Sequence, residues 1–199
     1  MNKLRFLHIP KTAGSSFDEC LYAQYLPDYL LRRSFTLTGN IKWDALRYSE
    51  LSPSKRKRIK LYVGHGPRTT GFPEIDTAPT ITLLRDPVAR VISLCQHVGE
   101  GKSPRWQAQD DPQGMDLDTF LERGGARISN LQTRILLGRQ SYQLPPGDEE
   151  SLACSALEVL GNDLKCFGLT EEFDRSLLLL QKVLGWNKPP IYRRRNTAN

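Results

Sequence analysis

The sequence predicts an α/β fold with a central, mostly parallel sheet flanked by helices, and three observations carry that prediction. Short apolar or β-branched runs alternate with longer stretches whose apolar residues recur at helical spacing. Two of the short runs end in turn chemistry that opens a helix, at residues 10–16 and 85–87. The chain has 199 residues, 39% of them hydrophobic, which is enough for one core. Residues 1–199 are therefore read as a single domain.

The elements follow in order. Residues 4–9 are mostly apolar and short, as a buried strand is. A helix beginning near Ser15 carries Phe17, Cys20, Leu21 and Tyr25 on one face. Ser52-Pro53-Ser54 starts a helix whose basic run, 55–60, reads as a solvated helix end. No aromatic is interleaved with that run, which argues against a stacking platform for nucleic acid. Residues 61–64 and 80–84 are the next strands, and Asp86 and Pro87 are an N-cap and a first helical residue for a helix over 87–97. Further helices begin near Leu117, Ser129, Asp148 and Thr170, with a strand at 165–168 before the last. The stretches 66–79 and 99–116 are candidate functional loops, because ligands bind at the carboxyl ends of parallel strands. Arg105 and Trp106, in the second, are placed to contact an acceptor or to form a surface connection.

Pro10-Lys11-Thr12-Ala13-Gly14-Ser15-Ser16 is the most informative segment. A strand that turns directly into a helix leaves N–H groups unpaired where the helix dipole favours negative charge. Gly14 allows close approach of an anion, Thr12, Ser15 and Ser16 add hydroxyls, and Lys11 adds a full positive charge. This is a phosphate cradle. It departs from the nucleotide-triphosphate loop, which needs Lys directly after its second Gly and then Ser or Thr for magnesium. Here Ser15 follows Gly14, the Lys precedes it, and Ile9 holds the first Gly position. The cradle suits a phosphate-like anion without a magnesium-bridged β,γ pair. Downstream, Arg85 at a strand end and Ser93 two turns into the next helix are placed to converge on one anion.

These segments carry a family resemblance. Residues 8–16 resemble the 5′-phosphosulfate loop of sulfotransferases that use 3′-phosphoadenosine 5′-phosphosulfate (PAPS). The nearest branch is that of heparan-sulfate 2-O-sulfotransferases and their small bacterial relatives; Ala13 stands where the family usually has Gly. The spacing R-D-P-x-x-R-x-x-S at 85–93 resembles the family's 3′-phosphate motif, with Arg85 and Ser93 in the binding positions. Gly64-His65-Gly66 resembles the segment bearing the catalytic His, and residues 167–174 resemble a late strand–helix segment. Asn130-Leu131-Gln132-Thr133-Arg134 resembles another family segment; substrate contact and helix packing are both open for it. Residues 193–197 fall where relatives close a basic, hydroxyl-bearing loop over the 3′-phosphate, which implies a contact from Thr197, or else they form a frayed basic tail. Relatives commonly continue with another helix, so the domain is either minimal or lacks that helix.

The resemblance implies a P-loop-like three-layer fold and sulfuryl transfer from PAPS to a hydroxyl of a small molecule or glycan. The product would be 3′-phosphoadenosine 5′-phosphate (PAP), with no metal, nucleic acid or membrane involved. Such a displacement at sulfur needs the leaving phosphate oxygen stabilised, which Lys11 can do, and the acceptor deprotonated. His, with an ordinary pKa of about 6.5, is the natural base. His8 lies in an apolar strand and reads as a packed residue; His97 closes a helix and reads as a dipole cap. His65, at a strand's carboxyl end, takes the base role.

Bulk properties bound the alternatives. A net charge of +6 and a pI near 9.2 favour an anionic ligand and fit nucleic acid, an acidic glycan or an adenine nucleotide alike. Cys20, Cys95, Cys154 and Cys166 form no CxxC and are expected as reduced core thiols. The first strand begins almost at Met1 and the run 177–180 is too short to cross a bilayer, so a cytoplasmic protein is expected. Two other functions compete. One is a degenerate P-loop kinase or nucleotide hydrolase, against which the missing G-K-[ST] counts. The other is a non-catalytic nucleotide or polyanion binder that keeps Lys11, Arg85 and Ser93 while His65 is structural.

Overall fold

The computed structural model describes residues 3–25, 34–65, 70–102, 116–125, 128–138 and 149–193. Its elements run β1 (Leu4–Leu7), α1 (Gly14–Tyr25), β2 (Ser34–Leu37), α2 (Ile41–Ser49), α3 (Pro53–Arg58), β3 (Leu61–Gly64), α4 (Pro73–Asp76), β4 (Thr80–Leu84) and α5 (Pro87–Gly99). They continue with α6 (Leu117–Gly124), α7 (Leu131–Leu136), α8 (Glu149–Glu158), a π-helical turn (Val159–Asp163), β5 (Cys166–Leu169) and α9 (Phe173–Leu184). The sheet has five strands in the order β2-β3-β1-β4-β5, and every pairing is parallel.

β1 lies in the middle, fully buried, and pairs with β3 through Leu7↔Gly64 and with β4 through Leu7↔Thr82. The Thr82 hydroxyl donates to the Leu7 carbonyl at 2.7 Å, locking β4 to the end of β1. Strand alternation sends side chains to two faces. On one face Leu4, Phe6, Leu61, Val63, Ile81 and Leu83 pack against Phe17, Cys20 and Leu21 of α1 and Leu177 and Leu180 of α9. On the other, Leu7 packs with Leu136 of α7 and Ala156 of α8, while Tyr62 meets Tyr48 of α2 and Ile75 of α4. Each large apolar side chain so buried contributes about 1.5–3 kcal/mol. Three layers result, with helices on both sides of the sheet.

Several boundaries differ from the sequence-based expectation. β1 ends at Leu7, because His8 onward already bends into the loop. β5 is shifted by one residue, and α5 continues to Gly99. The last helix starts at Phe173 with Glu172 at its N-cap position, while the N–H and hydroxyl of Thr170 both donate to the Leu84 carbonyl (2.8 and 2.9 Å) and tie that residue to the end of β4. Glu171 instead accepts the Asp86 N–H at 2.9 Å. Sequence reading missed β2, α2 and α4. β2 is an edge strand with only Phe35 and Leu37 turned inward, too short a pattern to register. α2 does carry a signal: the Asn40 side chain caps the Trp43 N–H. The basic run behaves as expected, for no residue of α3 is buried. Of the four cysteines only Cys20 is buried; Cys154 is exposed on α8, so it is not a core thiol. Among the described residues no helix is long and apolar enough to cross a membrane.

Gly64 ends β3 at φ +138°, and a Cβ there would sit 2.0 Å from the Leu37 carbonyl oxygen of the neighbouring strand. Neither the backbone angle nor the clash can be relieved without moving β2. Gly64→Ala is therefore expected to cost about 3 kcal/mol or more, read as a lowered urea midpoint.

Candidate active site

The cradle is built by two left-handed residues. Lys11 at φ 69° and Ala13 at φ 62° turn the chain twice between β1 and α1. An L-residue there is strained by about 1–2 kcal/mol, so the Gly of the family pattern at position 13 has a backbone reason. The turn is braced from within: the buried Thr12 hydroxyl donates to the Ile9 carbonyl at 2.9 Å. The N–H groups of Ser16 and Phe17 both bond Ala13 O at 3.1 Å. Ser16 is buried, whereas Ser15 faces solvent at the helix mouth.

Gly14 is required for a reason the sequence did not show. A Cβ at that position would lie 2.0 Å from His8 Nε2. The His8 ring, stacked on Phe6 at 5.3 Å, thus lies across the start of α1 and sets how close the loop comes to the sheet. His65, just past β3, completes this cluster: its ring is 4.4 Å from that of His8, and its Nδ1 lies 2.8 Å from the His8 carbonyl oxygen. A carbonyl only accepts, so Nδ1 carries the proton and the lone pair of the neutral ring is on Nε2. Burial, and then the neighbouring His65, lower the His8 pKa to about 3, so His8 stays neutral.

On the opposite side of β1 stands Arg85, directly after β4. Its Nη1 donates to the Lys11 carbonyl at 3.2 Å. Gln132 of α7 grips its backbone from both sides: the Arg85 N–H donates to Oε1 at 3.0 Å, and Nε2 donates to the Arg85 carbonyl at 2.6 Å. Sequence reading had given the 130–134 segment no role. Arg90 of α5, 2% exposed, donates to Ile128 O at 3.0 Å, and its charge is disfavoured by burial and then by Arg134 and Arg85. Asp86 caps α5 through the Ala89 N–H, as its place before Pro87 predicts.

Lys11 is held below the usual lysine range by burial first, then by Arg85, with Glu100 opposing and Lys102 reinforcing. Glu100 itself pairs with Lys102 at 2.8 Å. His97 shares this neighbourhood: burial, then Lys11, lower its pKa, with Glu100 opposing and Lys102 adding to the fall. His97 does lie in the last turn of α5, as expected of a residue that complements the helix dipole, while burial and Lys11 disfavour its cationic form. Ser93 lies one turn before His97 on the same helix face, half-buried, and its hydroxyl has no hydrogen-bond partner among the described residues. No direct bond joins Ser93 to Arg85. One turn into α1, burial pushes the Asp18 carboxyl up to about 6.

The structure therefore brings Lys11 and Arg85 into contact and sets His65 against His8 on the other flank of β1. Thr197 lies outside the described residues, as do Arg105, Trp106 and residues 194–196. The chain before them runs along α1: Gln24 Nε2 donates to Lys188 O at 2.8 Å and the Arg193 N–H to Glu19 at 2.9 Å. Among the described residues no cluster of His, Cys, Asp or Glu could hold a metal ion.

No family model matches this sequence, and no curated protein is similar to it in sequence. The structure is similar to the crystal structure of mouse sulfotransferase SULT7A1 complexed with PAP, with a TM-score of 0.54 and 16% identity. The chain has a sulfotransferase fold. The likeness covers 94% of this chain and 59% of that one, so this chain spans about three-fifths of its neighbour's length.

The neutral, buried His8 gives stability a pH dependence. The unfolded chain binds a proton at His8 below about 6.5, whereas the folded chain does so only below about 3. Folding is thus weakened as pH falls through that interval. In His8→Phe, which keeps a ring on Phe6, this part of the acid sensitivity should disappear; urea titrations of both proteins from pH 7 to pH 4 would show it.

Proposed function

We propose that this protein is a PAPS-dependent sulfotransferase that transfers a sulfuryl group to a hydroxyl acceptor. The single observation that carries the reading is the junction of Lys11 and Arg85 across the end of β1, with His65 on its other flank in the tautomer a base requires. The sulfotransferase fold supports it. The residues fit the donor: burial first, then the neighbouring Arg85, disfavours the charged form of Lys11, and a bound anion beside Lys11 would relieve that cost. Ser15 at the mouth of α1 and Ser93 on α5 add hydroxyls that this reading assigns to the donor.

PAPS supplies an activated sulfuryl group on a phosphate leaving group. Lys11 and the opening turn of α1 hold the 5′ end, and Lys11 neutralises charge that builds on the leaving oxygen. Arg85 and Ser93 hold the 3′-phosphate. Thr197 is assigned to the same phosphate by the family pattern. His65, oriented through Nδ1 by the His8 carbonyl, presents Nε2 to the acceptor hydroxyl and takes its proton. His8 next to it remains neutral, so the proton stays on His65. The acceptor in this reading is a hydroxyl of a small molecule or glycan in the cytoplasm; nucleic acid and membrane have no part in it.

Calorimetry is the first test: PAP should bind without magnesium and far more tightly than ATP. Equal affinities, or an absolute need for magnesium, would overturn the proposal. The second test is turnover of labelled PAPS with a panel of hydroxyl acceptors. His65→Ala should keep PAP affinity while turnover falls roughly 10²–10⁴-fold, the usual worth of a positioned base. Lys11→Ala should damage both. A folded His65→Ala protein with wild-type turnover would remove His65 from the mechanism.

A further inference from the structure

We infer that Gln132 is a positioning residue that sets Arg85 to select the 3′-phosphate of the nucleotide, an inference that rests on the proposed sulfotransferase reading. Arg85 is the first residue beyond β4, where the ladder has ended: the last β4 pairing is Leu84↔Leu169. Its N–H and carbonyl would otherwise be stranded at a partly buried strand end, and an unpaired buried group costs about 1–3 kcal/mol. The Gln132 amide presents an acceptor to the Arg85 N–H at 3.0 Å and a donor to its carbonyl at 2.6 Å. One side chain thus stands in for a missing strand partner. With the backbone fixed there, the guanidinium reaches across to Lys11 O at 3.2 Å. A chain of three contacts runs Gln132–Arg85–Lys11 and joins the α7 segment to the cradle.

The start of α7 is itself anchored, which makes the grip stiff. Asn130 adopts φ 46° before the helix, and its carbonyl takes the Arg134 N–H at 3.0 Å. The Ile128 carbonyl is held by the deeply buried Arg90 from α5. A side chain reaching from a rigid helix start to a strand end orients its target far better than a loop would. Gln is also the one common side chain of that length that offers both a donor and an acceptor without a charge. A Glu would turn two acceptors toward one donor and one acceptor, and would compete with a phosphate for the Arg85 guanidinium.

The test compares PAP with adenosine 5′-monophosphate, which lacks the 3′-phosphate, by calorimetry on the full chain. Gln132→Glu keeps the size of the side chain. At neutral pH it should weaken PAP about tenfold or more and leave the monophosphate within about twofold, in the range of other supporting-residue losses. On acidification toward pH 4 the carboxyl gains a proton and with it a donor, so its PAP affinity should return toward that of wild type measured at the same pH. Gln132→Leu should show the neutral-pH loss at every pH. Gln132→Glu with wild-type PAP affinity, equal losses for both nucleotides, or a loss insensitive to acid would overturn the inference. Hydrogen exchange at the Arg85 amide gives a ligand-free measure: protected in wild type, at least tenfold faster in Gln132→Leu, or the clamp is disproved. Should wild type bind neither nucleotide, the proposed function fails while the amide measurement still judges the clamp.

Discussion

β1 is hydrogen-bonded along both edges, to β3 on one side and β4 on the other, and the site depends on that placement. Parallel strands cannot be joined by tight turns, so each must be followed by a crossover over one face of the sheet. The chain leaving β1 crosses on the face that α1 and α9 cover. The chains leaving β2, β3 and β4 travel back over the other face, where α2, α4, α7 and α8 lie. Crevices therefore open beside β1 at the carboxyl end of the sheet, the place where such folds receive ligands. His65 arrives from β3, Arg85 from β4, and Lys11 from β1 itself. Their placement at one end of the sheet is a consequence of strand order, with the four residues of β1 acting as the axis.

The electrostatics of the two flanks are opposite in kind. On the β4 side burial first, then Arg85, disfavours the charge of Lys11, and burial first, then Arg134 and Arg85, disfavours that of Arg90. Such a cluster is costly without an anion, and the helix ends, hydrogen bonds and buried contacts around it hold it in place. On the β3 side burial strips charge instead: His8 is neutral, and its ring is a spacer between the cradle and His65. Positive charge is concentrated where a phosphate is expected and kept away from the group proposed to accept a proton.

How much of this was legible in the sequence follows from the range over which each residue acts. The cradle and the 85–87 turn were readable because their information is local: strand, turn, cap and helix follow one another within a few residues. Both proved to be where the pattern placed them, as did the solvated α3. β2 was missed because four residues with two inward side chains give no periodicity, and its partner β3 lies far along the chain. Gln132 was visible only as part of an unassigned segment, since its partner Arg85 is 47 residues away. His97 was legible as the basic residue of a last helical turn because helix ends are read locally, whereas its burial and the Lys11 charge near it depend on residues far away in the chain. Cys154 shows the limit of residue type as a guide, for a cysteine on the outer face of α8 is exposed whatever its usual preference.

The contact between His8 and Gly14 has a consequence for how the site can vary over evolution. The two residues are six positions apart, yet the space over the α-carbon of residue 14 belongs to the ring of residue 8. Any side chain gained at 14 must be matched by a smaller one at 8, and that loss would also remove the ring against which His65 rests. The two positions should change together or not at all among natural homologues, with position 65 drifting once the pair has changed. A lineage that exchanged them would have to repack the ring of residue 65 on the end of β3, so the cradle and His65 are expected to be inherited as one unit.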